Sequence, residues 1–86
     1  MRTQYTMPIK KSEYDSLSDI LYVHFLNDRG DSYGDEAKNG VEIFRDCETD
    51  EVTGFEVSHV SLDSIGRQAQ MLEMGLNYDL CQLCEA

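Results

Sequence analysis

Asp19-Ile20-Leu21-Tyr22-Val23-His24-Phe25-Leu26 decides the fold. Side chains along a strand point alternately to its two faces, so Leu21, Val23 and Phe25 share one face and Ile20, Tyr22, His24 and Leu26 the other. Both faces carry apolar groups, which marks the strand as central in its sheet. Working outward, Gly40 to Arg45 and Val52 to Val60 read as two further strands, with Phe55 and Val57 on one face of the latter. Upstream, Met7 to Tyr14 reads as a weaker strand. Pro8 cannot donate to a ladder and Lys10 and Lys11 are adjacent, both of which suit a sheet edge. Asp15 to Asp19 is a turn of Asp and Ser, whose side chains bond nearby backbone groups. Asn27 to Asn39 reads as a polar, glycine-containing loop with four acidic residues. The first six residues carry no pattern and are expected to be mobile.

Beyond Ser61 the period changes from two to three and four. Leu62, Ile65, Ala69, Leu72 and Leu76 form one helical stripe, which is expected to lie across the sheet. Ser61 or Asp63 can cap its start, and Gly75 and Asn77 can end it. On this reading Met71 and Met74 fall off the centre of the buried stripe, where a second subunit could cover them. Tyr78 to Cys84 adds one further turn. The expected fold is therefore α+β and a single domain: an antiparallel β-meander of about four strands over residues 7–60, a C-terminal helix over 62–75 packed on one face, and a short tail to 86.

Eighty-six residues bury only about 60 to 70 per cent of the unfolded surface, so an interface with another copy or another protein would add needed burial. Homo-oligomerisation is the default expectation. Seventeen acidic against seven basic residues give a formal net charge of −10, and the basic residues are scattered. Phosphate backbones are held by Lys and Arg, so nucleic acid and anionic membrane are excluded as partners, and a basic protein is favoured. No apolar run approaches the roughly 20 residues of a bilayer span, and no signal core follows the N-terminal charge. Three cysteines in so small a chain make no disulfide framework and fit a reducing compartment. The expected location is the cytoplasm.

Tyr14-Asp15 followed by Asp19-x-Leu21-Tyr22-Val23, with Gly54-Phe55-Glu56-Val57 downstream, resembles the small bacterial YuzE-like domain of unknown function. The likeness runs from Tyr14 to about Ser61 and marks Tyr14, Asp15, Asp19, Leu21, Tyr22, Gly54 and Glu56 as motif residues. It implies a cytoplasmic α+β domain of uncharacterised activity, antitoxin-like in members encoded beside a small toxin. Two departures stand out. The third hairpin turn, Asp46 to Glu51, has no glycine, and the loop 27–39 looks longer than usual.

Candidate chemistry is sparse. Tyr14, Asp15, Asp19 and Tyr22 could form a carboxylate and phenol site, but turn chemistry and strand packing account for them, and no nucleophile with an adjacent base accompanies them. Asp46, Glu48 and Asp50 alternate like calcium ligands, yet the glycine and the final glutamate of such a loop are replaced by Glu51 and Val57. Cys81-x-x-Cys84 could bind zinc only with His59, His24 or Cys47, since a second paired motif is missing. His24 is expected to be partly buried and satisfied by a neighbour, and His59 to be the more exposed histidine. No cofactor is called for. The favoured reading is a non-enzymatic protein-interaction module; the alternative is a small metal- or ligand-dependent enzyme with its site at a subunit interface.

Overall fold

The computed structural model describes Gln4 and residues 6–84, so the expectation for the first six residues falls largely outside the described ones. Five strands form one antiparallel sheet: β1 (Ile9–Asp15), β2 (Ile20–Phe25), β3 (Ser32–Lys38), β4 (Val41–Asp46) and β5 (Val52–Ser58). Two helices follow, α1 (Ser64–Glu73) and α2 (Leu80–Cys84). The α+β class stands, as does the expected alternation of β2: Leu21, Val23 and Phe25 are buried on one face.

The strand order is β1-β2-β5-β4-β3. β1 and β2 form one hairpin, β3 and β4 another, and β5 inserts between them to become the middle strand. This is not a simple succession of neighbours. The insertion gives β2 a partner strand on each side, as expected of a central strand, and places Phe55 opposite both Val23 and Ile43.

β3 lies inside the stretch expected to be loop. It is a sheet edge, nearly all exposed, so it needs no apolar alternation and shows none. Its signal lies next to it instead. Asn39 and Gly40 both have positive φ, 49° and 82°, the geometry of the tight hairpin turn for which Asn-Gly is the strongest short-range marker.

The core is a single layer between the sheet and the C-terminal segment. Leu21, Val23, Phe25, Val41, Ile43, Phe55 and Val57 face Val60, Met71, Met74, Leu76 and Leu80. Tyr78 stacks on Phe25 and tilts against Phe55, both at 5.6 Å between ring centres, and its hydroxyl donates to Met7 O at 2.7 Å. That bond ties the segment before β1 to the connection between α1 and α2.

α1 starts where expected, with the Asp63 carboxylate accepting from Gly66 N at 3.0 Å. It ends at Gly75, whose φ of 84° is the left-handed value glycine adopts freely. Its buried side, however, is the opposite of the expected one. Met71 and Met74 are buried in the core, whereas Leu62, Ile65 and Leu72 are 78, 84 and 53 per cent exposed. Of the predicted stripe only Leu76, past the helix end, is buried. Hydrogen bonding sets this rotation. Arg67 Nε donates to Ser58 O at 2.9 Å and Gln70 Oε1 accepts from Asn39 at 2.8 Å, so two polar side chains of α1 serve backbone and turn groups at the end of the sheet. Met71 and Met74 lie on that same side and fill the core. Among the described residues no helix is long and apolar enough to cross a membrane.

Candidate functional site

The helices cover one face of the sheet and leave the other open. Strand register arranges the open face in rows. Tyr22 lies opposite Glu56, which lies opposite Glu42; in the next row His24 lies opposite Gly54, which lies opposite Phe44. Gly54 therefore leaves a gap between a histidine and a phenylalanine. A Cβ at this position would collide with the Val23 carbonyl oxygen, so the glycine is required by the close approach of β2 and β5. The gap opens into a pit of about 240 Å³, walled by Tyr22, His24, Phe44 and Glu56, with Asp28 and Ser32 at its rim.

The β2–β3 connection closes one end of the pit. Asp28 Oδ2 lies 2.7 Å from His24 Nδ1, and Asp28 Oδ1 accepts from Gly30 N at 2.8 Å. Burial raises the Asp28 pKa, but the Gly30 N–H and the His24 ring more than offset this and hold it below the ordinary value. Asp28 is thus an ionised, acceptor-only group, and His24 Nδ1 carries the proton between them. His24 is satisfied by a neighbour as expected, but the neighbour lies across a turn rather than on the strand. Ser32 and Thr53 share a hydroxyl–hydroxyl bond of 2.8 Å beside them.

At the other end, burial and then the Glu42 charge push the Glu56 carboxyl above its ordinary value. Glu42 and Glu56 are direct cross-strand partners, and among the described residues neither forms an ion pair. Like charges in this relation destabilise a sheet.

The seven motif residues divide between three locations. Tyr14 pairs with Leu21 in register and so lies on the helix side of the sheet, away from Tyr22. Its hydroxyl donates to Asp19 Oδ1 at 2.6 Å, while Asp19 also accepts from Ser61 N and from Ser61 Oγ, the latter at 2.8 Å. Asp19 has a φ of 59°, and Asp15 accepts from Leu17 N within the same turn. These three residues fasten the first hairpin to the segment that leads into α1. The Tyr14 phenol, bonded to a carboxylate, is raised above its ordinary pKa, and Asp19 is lowered by Tyr14 and Ser61. That is the reverse of what a phenol base and a carboxylic acid would need. Leu21 is core. Only Tyr22, Gly54 and Glu56 reach the pit, where His24, Asp28 and Phe44 join them.

The acidic stretches are engaged internally. Arg29 grips Asp46 through two bonds of 3.0 and 2.9 Å, and Asp46 also accepts from Glu48 N and Thr49 N. The Arg29 guanidinium, then those N–H groups, hold the Asp46 carboxyl far below the usual range. Tyr33 donates to Asp50, and Arg45 pairs with Asp35 at 2.7 Å. The calcium-like alternation at 46, 48 and 50 is therefore a turn lock. Cys47, Cys81 and Cys84 are free thiols, His59 is exposed, and among the described residues no three His, Cys, Asp or Glu side chains converge as a metal site.

No family model matches the chain, and neither a curated protein nor a solved structure is significantly similar to it.

Proposed function

We propose that this is a non-enzymatic, YuzE-like binding module whose open sheet face receives a basic segment of a partner protein, with one Lys or Arg side chain seated over Gly54. The cross-strand pair Glu42 and Glu56, whose charges repel and which form no ion pair among the described residues, carries this reading, with Glu56 at the pit and Glu42 beside it. A cation placed between them relieves a repulsion that the isolated chain bears and turns it into attraction. Tyr22 and Phe44 offer apolar walls for the methylene stem and ring faces for the charge. The overall charge of −10 would speed encounter with a basic partner and disfavour nucleic acid as a competitor. A toxin-neutralising role in the cytoplasm is one biological setting for such a module.

Titration of the ¹⁵N-labelled protein with a short Arg- and Lys-containing peptide at low salt tests the reading. The expected result is shifts centred on Tyr22, Gly54 and Glu56, weakened by salt and abolished in the double variant Glu42→Gln, Glu56→Gln. Shifts scattered over the whole acidic surface, or unaltered by that double variant, would refute it. The enzyme alternative has the His24–Asp28 pair in its favour, but among the described residues His24 hydrogen-bonds only Asp28, so no nucleophile is poised against it.

A further inference from the structure

We propose that the pit over Gly54 selects an arginine side chain over a lysine, with His24 as the residue that discriminates and Asp28 as the residue that positions it. This rests on the reading that the pit receives a basic side chain of a partner protein, and it names which one.

The pit has two polar ends. Glu56 stands at one and His24 at the other, on the same open face but on neighbouring strands, since His24 is paired with Gly54, two residues before Glu56. Diagonal positions of this kind are roughly 7 to 8 Å apart. Gly54 puts no side chain into the space between them.

His24 is held at its end of that space. Asp28 Oδ2 lies 2.7 Å from its Nδ1, and Asp28, with only 15 per cent of its side chain exposed, is fixed in turn by Gly30 N at 2.8 Å. The carboxylate only accepts, so Nδ1 keeps the proton and the neutral ring presents Nε2 as a bare acceptor. Nε2 has no hydrogen-bond partner among the described residues, and 46 per cent of the His24 side chain is exposed, so a ligand can reach it. The two lysines nearby are already engaged. Lys11, opposite His24 on β1, pairs with Glu13 at 2.9 Å, and Lys10 donates to Asp28 O.

Two acceptors at this separation suit a guanidinium. Its donors lie on opposite edges of a plane and each reaches about 2.9 Å, so one edge can meet Glu56 while the other meets His24 Nε2. The flat faces then lie against Tyr22 and Phe44. An ammonium carries its three donors on one nitrogen, and two acceptors that both bond it stand no more than about 6 Å apart. Lysine can therefore satisfy Glu56 but leaves Nε2 unserved.

Calorimetric titration and ¹⁵N spectra of the full chain with two Gly- and Ser-based peptides, alike except for a single Arg or Lys, provide the test. The arginine peptide should bind about fivefold more tightly, the worth of one added hydrogen bond, and should shift His24 Nε2, which the lysine peptide leaves in place. His24→Phe keeps an aromatic wall and removes the acceptor from a half-exposed position. It should keep the wild-type melting temperature and bring the two affinities together by weakening arginine alone. In Asp28→Asn the amide oxygen still accepts from Gly30 N while the amide N–H faces Nδ1, which moves the ring proton to Nε2 and turns the acceptor into a donor. The imidazole ¹⁵N shifts should report the exchanged tautomer, and the arginine preference should vanish with it. Equal affinities in the wild type, or an arginine preference that survives either variant, would overturn the inference and leave the pit as a site for either cation. If neither peptide perturbs Tyr22, Gly54 and Glu56, the binding reading itself fails and this inference falls with it.

Discussion

Met71 and Leu72 are adjacent in the chain but lie on different sides of α1, the first with no exposed surface and the second with 53 per cent of its surface exposed. Truncating the two side chains therefore separates the two orientations of the helix. Met71→Ala deletes buried atoms and leaves a cavity, at a cost of about 3 kcal/mol. Leu72→Ala, measured at a concentration where the chain is monomeric, should cost no more than about 0.5 kcal/mol. Urea unfolding followed by circular dichroism gives both values, and the reverse ranking would restore the orientation that hydropathy alone suggests.

Glu56 should make the fold less stable when it ionises. Its carboxyl is raised by burial and by Glu42, so the folded state binds the proton more tightly than the unfolded chain does. The penalty is absent well below the ordinary glutamate value, grows as pH rises through that value, and is complete above the raised one. Glu56→Gln should accordingly stabilise the protein by on the order of 0.5 kcal/mol at about pH 7 and by nothing at about pH 3. Paired denaturant melts at the two pH values check this. A gain of equal size at both would show that packing, and not charge, is responsible.

The Asp46 carboxyl has the opposite linkage. Arg29 and two backbone N–H groups hold its folded pKa far below the ordinary value, so its contribution is present at neutral pH and is lost as pH falls below about 4, where the unfolded chain takes up the proton first. Asp46→Asn should lower the neutral-pH melting temperature by several degrees while flattening the acid limb of the stability curve. A variant with the same acid limb as the wild type would remove Asp46 as the main acid-sensitive lock.

These residues also show what could be read in advance. The alternation in β2, the Gly-Phe-Glu-Val of β5, and the Asp63 and Gly75 boundaries of α1 are local patterns, and each has its structural counterpart. β3 escaped because an exposed edge strand has no apolar face to betray it; Asn39-Gly40 was the available signal. The face of α1 was misread because hydropathy ranks Leu and Ile above Met, Gln and Arg, whereas Gln70 and Arg67 turn inward to meet Asn39 and Ser58. The pit was illegible for a different reason. It arises only when β5 enters between β2 and β4, which brings His24, Gly54 and Phe44 into one row from positions ten and thirty residues apart.

Gly54 links the sheet to the site, and its substitution should affect both in a separable way. A Cβ there meets the Val23 carbonyl oxygen, a backbone atom that can move only if β2 and β5 part. Overpacking of this kind costs about 2 kcal/mol, so Gly54→Ala should unfold at markedly lower urea concentration. Phe44→Ala instead removes one wall of the pit from a half-exposed position, leaves the β2–β5 contact alone, and should weaken binding of the basic peptide with a smaller stability loss. Chevron or equilibrium melts together with peptide titration distinguish the two. If Gly54→Ala proved as stable as the wild type, the two strands would have to lie further apart than their register places them, and the pit would lose the floor on which the binding proposal rests.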